Sequence, residues 1–245
     1  RLEEKIGTGG LADVWRATAE GVSRAVALKV LREPDRSEAH RSRFLREGRL
    51  LARLSHPGLP RCHGVLTSPR PAIALDLLSG LSLAERLQSD GPLPAELGEQ
   101  IAASLLRVLE YLHQNGIVHR DVKASNAFLA DDRRVLLLDL GLAADPSDPL
   151  TTTLGDVMGT YAYMAPEQIA GAEVDHRADL YSLGVTLYEA LAGRRPFQAR
   201  GAAGYLQAHR EGVFRPLVEI RPDLPARLTD LVGRLMSRDP VARPA

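Results

Sequence analysis

Cysteine is nearly absent: Cys62 is the only one in 245 residues. No disulfide can form within the chain, and a zinc site built on several thiolates is excluded. No excess of one charge exists either. Lys+Arg and Asp+Glu number 31 each, so nothing electrostatic favours nucleic acid or an anionic membrane as the main partner. No apolar run approaches the roughly 18 residues of a membrane span, since Asp139 interrupts even Val135–Ala144. The opening Arg-Leu-Glu-Glu-Lys lacks the features of a signal peptide. There is no low-complexity tract and no repeat at a fixed period. Lysine is scarce, confined to Lys5, Lys29 and Lys123. Where arginine serves for ordinary surface charge, a lysine is a candidate for work that a guanidinium does not do. What is present, 44% hydrophobic and 25% charged residues, describes a folded domain with a substantial core, expected in a reducing compartment.

Periodicity divides the chain in two. Leu2–Ile6, Val14–Thr18, Ala25–Leu31, Cys62–Thr67 and Ala72–Leu77 read as strands, with one helix over Glu38–Leu54. After Ser79-Gly80 the pattern turns helical. Ser82-Leu83-Ala84-Glu85 is a capping box, Ala95–Asn115 is a long amphipathic helix ending at Gly116, and His176–Ala192, Gly201–Glu211 and Ala226–Ser237 follow. Val135–Leu138 is a buried strand. The expectation is an α+β fold of two lobes, β-rich over residues 1–79 and mostly helical over 80–245.

Four groups of residues carry chemistry. Gly7-Thr8-Gly9-Gly10-Leu11-Ala12-Asp13-Val14 is glycine-rich and precedes a strand rather than a helix, which disfavours a dinucleotide fold, and the absence of Gly-Lys-Ser/Thr excludes a Walker loop. It is either a flexible hairpin or a loop whose backbone N–H groups approach phosphate. Lys29 ends the apolar Val26-Ala27-Leu28 and needs a partner. Glu47 lies on the same helical face as Phe44, Leu51 and Leu54 and so points inward to offer one. In His119-Arg120-Asp121-Val122-Lys123-Ala124-Ser125-Asn126, a carboxylate, an ammonium and an amide are spaced by two and three. Asp139 closes an apolar strand before Leu140-Gly141, where a lone carboxylate is costly unless a cation sits on it; with Asn126 it makes a two-ligand magnesium site that phosphate oxygens would complete.

In this order, and with Ala165-Pro166-Glu167 behind them, these segments resemble a bacterial serine/threonine protein kinase from Leu2 to Arg243. The resemblance implies that residues 7–14 cover the phosphates of ATP, Lys29 holds two of them with Glu47 fixing it, and Asp121 orients the acceptor hydroxyl. Lys123 would neutralise the moving phosphoryl group, and Asn126 and Asp139 would hold Mg²⁺. Ile6, Val14 and Ala27 would roof the adenine pocket over Phe128, with Leu75 as gatekeeper and Asp76 to Leu78 as hinge. Thr160 would bond toward Asp121 and Lys123, Asp179 would hold the backbone of the 119–121 loop, and Glu167 would pair with Arg243. Arg120 implies regulation by phosphate on the activation loop, at Thr151, Thr152 or Thr153.

Against the family pattern, Ala12 replaces a glycine, Ala124 a frequent proline and Leu140 a phenylalanine, and Phe128 is bulky for its position. None removes a catalytic group, which disfavours the alternative of a nucleotide-binding pseudokinase scaffold. Further expectations are protein substrates with Ser/Thr acceptors, a kinase-domain dimer for trans-autophosphorylation and a cytoplasmic location. The chain stops within the last helical region, implying a longer protein whose anchor, if any, lies outside it. His40, His63, His113 and His209 read as surface or satisfied core histidines, and Cys62 as a small buried residue.

Overall fold

The computed structural model describes residues 1–18, 24–32, 37–140 and 160–244. Strands β1 (Leu2–Thr8), β2 (Ala12–Ala17), β3 (Val26–Leu31), β4 (Cys62–Leu66) and β5 (Ala72–Asp76) form one antiparallel sheet in the order β1-β2-β3-β5-β4. Helix α1 (Glu38–Leu51) packs on it. Ser37 caps α1 by accepting from His40 N at 3.2 Å, satisfying one of the free N–H groups of its first turn. The helix ends at Leu51 rather than Leu54, and its face of Phe44, Glu47, Gly48 and Leu51 is buried as the spacing requires.

A second, three-stranded sheet opens the helical lobe: β6 (Gly80–Ser82), β7 (Ala127–Ala130) and β8 (Val135–Leu137). Two of these strands have no sequence signature, because three or four residues are too few to show a period. Gly80, at φ 141°, lies so close to β7 that an added Cβ would sit 2.1 Å from Leu129 O. Ser82 and Glu85 make the full capping box that opens α2 (Leu83–Asp90).

The long α3 (Ala95–Gln114) buries Ile101, Ala102, Leu105, Val108, Leu109 and Leu112, a stripe spaced by three and four. The short α4 (Pro166–Ile169) precedes α5 (Arg177–Ala192), followed by α6 (Gly201–Glu211), α7 (Leu217–Ile220) and α8 (Ala226–Leu235). The α5 helix is buried on every side, with Tyr181, Leu183, Val185, Leu187 and Tyr188 all inside. It is the axis around which the lobe packs. Gly184 admits α8 to it: an added Cβ would stand 2.8 Å from Leu235 Cβ.

Two apolar cores result. Ala12, Leu31, Phe44, Leu45 and Ile73 make the small one; the large one runs from Leu51 to Met236. Leu75 and Cys62 pack against both, so the junction between lobes is apolar and continuous. Cys62 is half-buried rather than buried, because its strand is at the sheet edge; burial still raises its thiol pKa.

Candidate active site

The glycine-rich segment is the β1–β2 hairpin. Gly7 pairs with Val14 and Thr8 with Asp13, while Gly9 N donates to Ala12 O at 2.8 Å to close the turn. Leu11 is fixed by its carbonyl accepting from Arg32 N at 3.0 Å, and Gly10 by the Arg32 guanidinium on its carbonyl. A Cβ added at Gly7 would meet only Val14, at 3.6 Å, an ordinary contact. Packing within the fold therefore does not demand glycine there. Lys5 is not idle: it pairs with Asp13 at 2.9 Å.

Lys29 on β3 meets Glu47 of α1 at 2.7 Å and Asp139 at 3.2 Å. Burial alone would lower the Lys29 pKa, but Asp139 and Glu47 outweigh it and hold the ammonium above its ordinary value. Burial pushes the Glu47 carboxyl up, against the pull of Lys29. Asp139 has the cation that a carboxylate at a strand end requires, Lys29, but it is not buried. Its φ of 65° turns it out of the strand line, and its side chain is 47% exposed. The charge stands at the cleft surface with Lys29 as its cation, so the desolvation cost expected at a strand end does not arise. Arg120 likewise has φ 67°. Both residues that flank the chemistry thus sit in the left-handed region, which costs a non-glycine residue about 1–3 kcal/mol and persists only when surrounding contacts impose it.

Those contacts are visible around the 119–126 loop. Asp179, fully buried on α5, accepts from His119 N at 2.8 Å and Arg120 N at 2.7 Å. His113 Nε2 reaches the same carboxylate at 2.8 Å, and Gln168 Nε2 donates to Arg120 O at 3.3 Å. The loop is held from two elements, α5 and α4, and α3 braces Asp179 through His113. Asn126 Nδ2 donates to Asp121 O at 2.8 Å and to Asp121 Oδ2 at 3.0 Å. Lys123 Nζ bridges Asp121 Oδ2 at 2.9 Å and Thr160 Oγ1 at 3.2 Å. Burial raises the Asp121 pKa, with Lys123 opposing, which favours a proton acceptor over an inert carboxylate.

Among the described residues no group of three or more His, Cys, Asp or Glu is arranged to hold a metal. The amide nitrogen of Asn126 is engaged by Asp121, so its Oδ1 is the atom that would hold a metal, and Asp139 offers exposed carboxylate oxygen. Two hard oxygen donors fit a magnesium ion whose shell is completed by phosphate and water, not an all-protein cage.

Of the residues expected to line an adenine pocket, Ala27 faces Leu75 across β3 and β5, and Phe128 lies on β7 opposite Ser82 and Leu136. Ile6 is 46% exposed. Asp76 N donates to Arg61 O at 3.0 Å, so the backbone donor left to the hinge is beyond it, toward Leu78. The Asp76 side chain is tied to Arg24 at 3.1 Å and His63 at 2.9 Å.

Glu167 and Arg243 make a bidentate pair at 2.5 and 2.9 Å, with the Arg243 side chain fully buried. Leu140 is fully buried in the same core as Leu51. Thr151, Thr152, Thr153 and Gly141 lie outside the described residues. Sequence reasoning missed the His113–Asp179 contact and the role of Gln168; a histidine or glutamine at one helical position carries no signal until its partner, 48 to 66 residues away, is in place.

The protein kinase domain family matches residues 1–245. The serine/threonine-protein kinase PknA of Mycobacterium tuberculosis is 36% identical over 251 residues, covering 99% of this chain and 57% of PknA. The kinase pkn3 of Myxococcus xanthus is 34% identical over 258 residues, covering all of this chain and 47% of pkn3. PknJ of M. tuberculosis is 36% identical over 252 residues, 99% of this chain and 42% of PknJ. The chain spans about half the length of these relatives. With the β-sheet and helical lobes in place and the family matched from end to end, the chain belongs to the protein kinase domain family.

Proposed function

We propose that this domain transfers the γ-phosphoryl group of ATP to serine and threonine hydroxyls of proteins. The observation that carries the reading is the cluster of Asp121, Lys123, Asn126 and Thr160, and near it a second cluster of Lys29, Glu47 and Asp139, whose Asp139 charge acts on Asp121. Lys29, kept charged and positioned by Glu47, binds the α- and β-phosphates beneath the 7–14 hairpin. Asp121 orients the acceptor hydroxyl and takes its proton. Lys123, at the midpoint between Asp121 and Thr160, balances charge on the transferring group. Mg²⁺ at Asn126 and Asp139 would neutralise the phosphate oxygens when bound. The site does no covalent chemistry of its own; it positions and stabilises charge.

The Lys123–Thr160 contact supports Ser/Thr as acceptor, as do the printed names of the relatives. No helix among the described residues is long and apolar enough to cross a membrane; the proposal includes a cytoplasmic location, where ATP is supplied. Arg120 is proposed as the partner of a phosphate on the 151–153 threonines, delivered by a second copy of the domain. The test is transfer of labelled γ-phosphate to a generic basic protein, followed by phosphoamino-acid analysis. Label on serine or threonine that requires Mg²⁺ is expected. Bound ATP with no transfer would leave a nucleotide-binding scaffold instead.

A further inference from the structure

The segment between Glu189 and Glu211 departs from the charge balance of the chain. It holds Arg194, Arg195, Arg200 and Arg210 and no aspartate or glutamate. Part of it folds around an open cavity of about 490 Å³ lined by Arg195, Phe197, Gln198, Ala199, Arg200 and Tyr205. Among the described residues the lining carries two guanidinium groups and no carboxylate.

This cavity is built onto the segment that leads away from the proposed acceptor site. The Arg195 guanidinium lies over the Tyr163 ring, 5.2 Å from its centroid. Its Nε donates to Glu189 Oε1 at 3.1 Å, and the Tyr163 hydroxyl donates to the other oxygen of that carboxylate. On the other wall the Phe197 ring is 4.5 Å from the ring of buried His209, which donates from Nε2 to Tyr161 O at 3.1 Å. The cavity wall is therefore tied to Tyr163 through Arg195 and to Tyr161 through Phe197 and His209, while the neighbouring Thr160 is bonded to Lys123. Three residues of chain span at most about 11 Å.

Arg195 is committed to Glu189. Arg200 is exposed and, among the described residues, makes no salt bridge or hydrogen bond. A guanidinium without a partner among the described residues, at a concave surface whose described lining has no carboxylate, is a receptor for a planar or tetrahedral anion, which it meets with two parallel N–H bonds.

We propose that this cavity binds an anionic side chain of the protein substrate, a carboxylate or a phosphorylated residue, through Arg200, and so selects acidic sequences around the acceptor. The inference rests on the kinase reading of the site above. An extended peptide advances about 3.3 Å per residue, so the selected side chain belongs to a residue near the acceptor in sequence, at a position the scan below identifies.

The test is a set of serine peptides carrying Ala, Glu, phosphoserine or Lys at each position from one to four residues on either side. They are compared in the wild-type domain, Arg200→Ala and Arg200→Glu. For at least one position, kcat/KM with Glu or phosphoserine is expected to exceed Ala by about three- to tenfold, the range of a charge-assisted contact at a partly exposed site. Arg200→Glu should erase or invert that preference and leave the all-Ala peptide unchanged. A stronger response to phosphoserine points to substrates already phosphorylated nearby, an equal response to acidic sequence itself. No anionic preference at any position, or the same profile in Arg200→Glu, would overturn the assignment and leave surface arginines only. Binding of fluorescein-labelled Glu and Ala peptides separates the two claims. If nothing is phosphorylated but the Glu peptide binds in an Arg200-dependent way, the transfer reading fails and the cavity assignment stands; equal binding of both peptides overturns it.

Discussion

Glu167→Ala is the perturbation whose size the structure sets most tightly. Arg243 has no exposed side-chain surface. It donates to Glu167 at 2.5 and 2.9 Å, to Ser237 O at 2.9 Å, to Arg177 O at 2.8 Å and to Arg238 O at 3.4 Å, and lies 5.0 Å over the Tyr181 ring. Removing Glu167 leaves a buried cation whose carbonyl partners satisfy its hydrogen bonds but not its charge. Loss of one partner of a buried pair costs about 3–5 kcal/mol; the three carbonyls place this case at the lower end, near 3 kcal/mol. At about 2–4 °C per kcal/mol for a chain of this size, the melting temperature falls by about 6–12 °C. An exposed pair would cost under about 1 kcal/mol. Thermal melting of Glu167→Ala, Arg243→Met and the double variant measures the coupling. The double variant should be less destabilised than the sum, because no charge is then stranded. Additive losses would refute the reasoning.

Three other outcomes are expected. Asp139→Asn should weaken Mg²⁺-dependent ATP binding about tenfold or more by removing the formal charge at the proposed metal site, read by titration of nucleotide with and without the metal; equal affinity in both proteins contradicts it. His209, buried between Tyr181, Phe197 and Tyr161 O, has its pKa lowered by burial to about 4. Below about pH 6.5 the unfolded chain takes up a proton that the fold does not, so stability is full above that pH and is lost progressively toward pH 4, by about 3 kcal/mol; His209→Gln should flatten the melting temperature against pH over that window. After incubation with ATP, mass spectrometry should find phosphate on Thr151, Thr152 or Thr153, and a fully active enzyme without it would remove Arg120 from regulation.

The parts of the fold legible in the sequence were those with a period long enough to read. The 20-residue α3 and the stripe that aims Glu47 inward follow from spacing by three and four, and the box at Ser82 and Glu85 opens α2 where its chemistry says it must. The strands Gly80–Ser82 and Ala127–Ala130 were not, because their pairing with each other is set by tertiary packing. The candidate site was legible because its charged residues interrupt apolar runs and so demand partners: Lys29, Glu47 and Asp139 find each other across 110 positions. The exposure of Asp139 was not, since a positive φ at a non-glycine residue is imposed by the surrounding fold. His113 and the Tyr163–Glu189–Arg195 contact were silent for a related reason: ordinary residues acquire a role only from neighbours distant in sequence.

The most direct test of the account is a single-turnover measurement on Asp121→Asn with ATP binding followed on the same protein. The amide keeps the shape and loses the proton acceptor. Phosphoryl transfer is expected to fall by about 10²–10⁴-fold while the affinity for Mg²⁺–ATP stays within about twofold of wild type. Transfer at near the wild-type rate would contradict the placement of chemistry at Asp121.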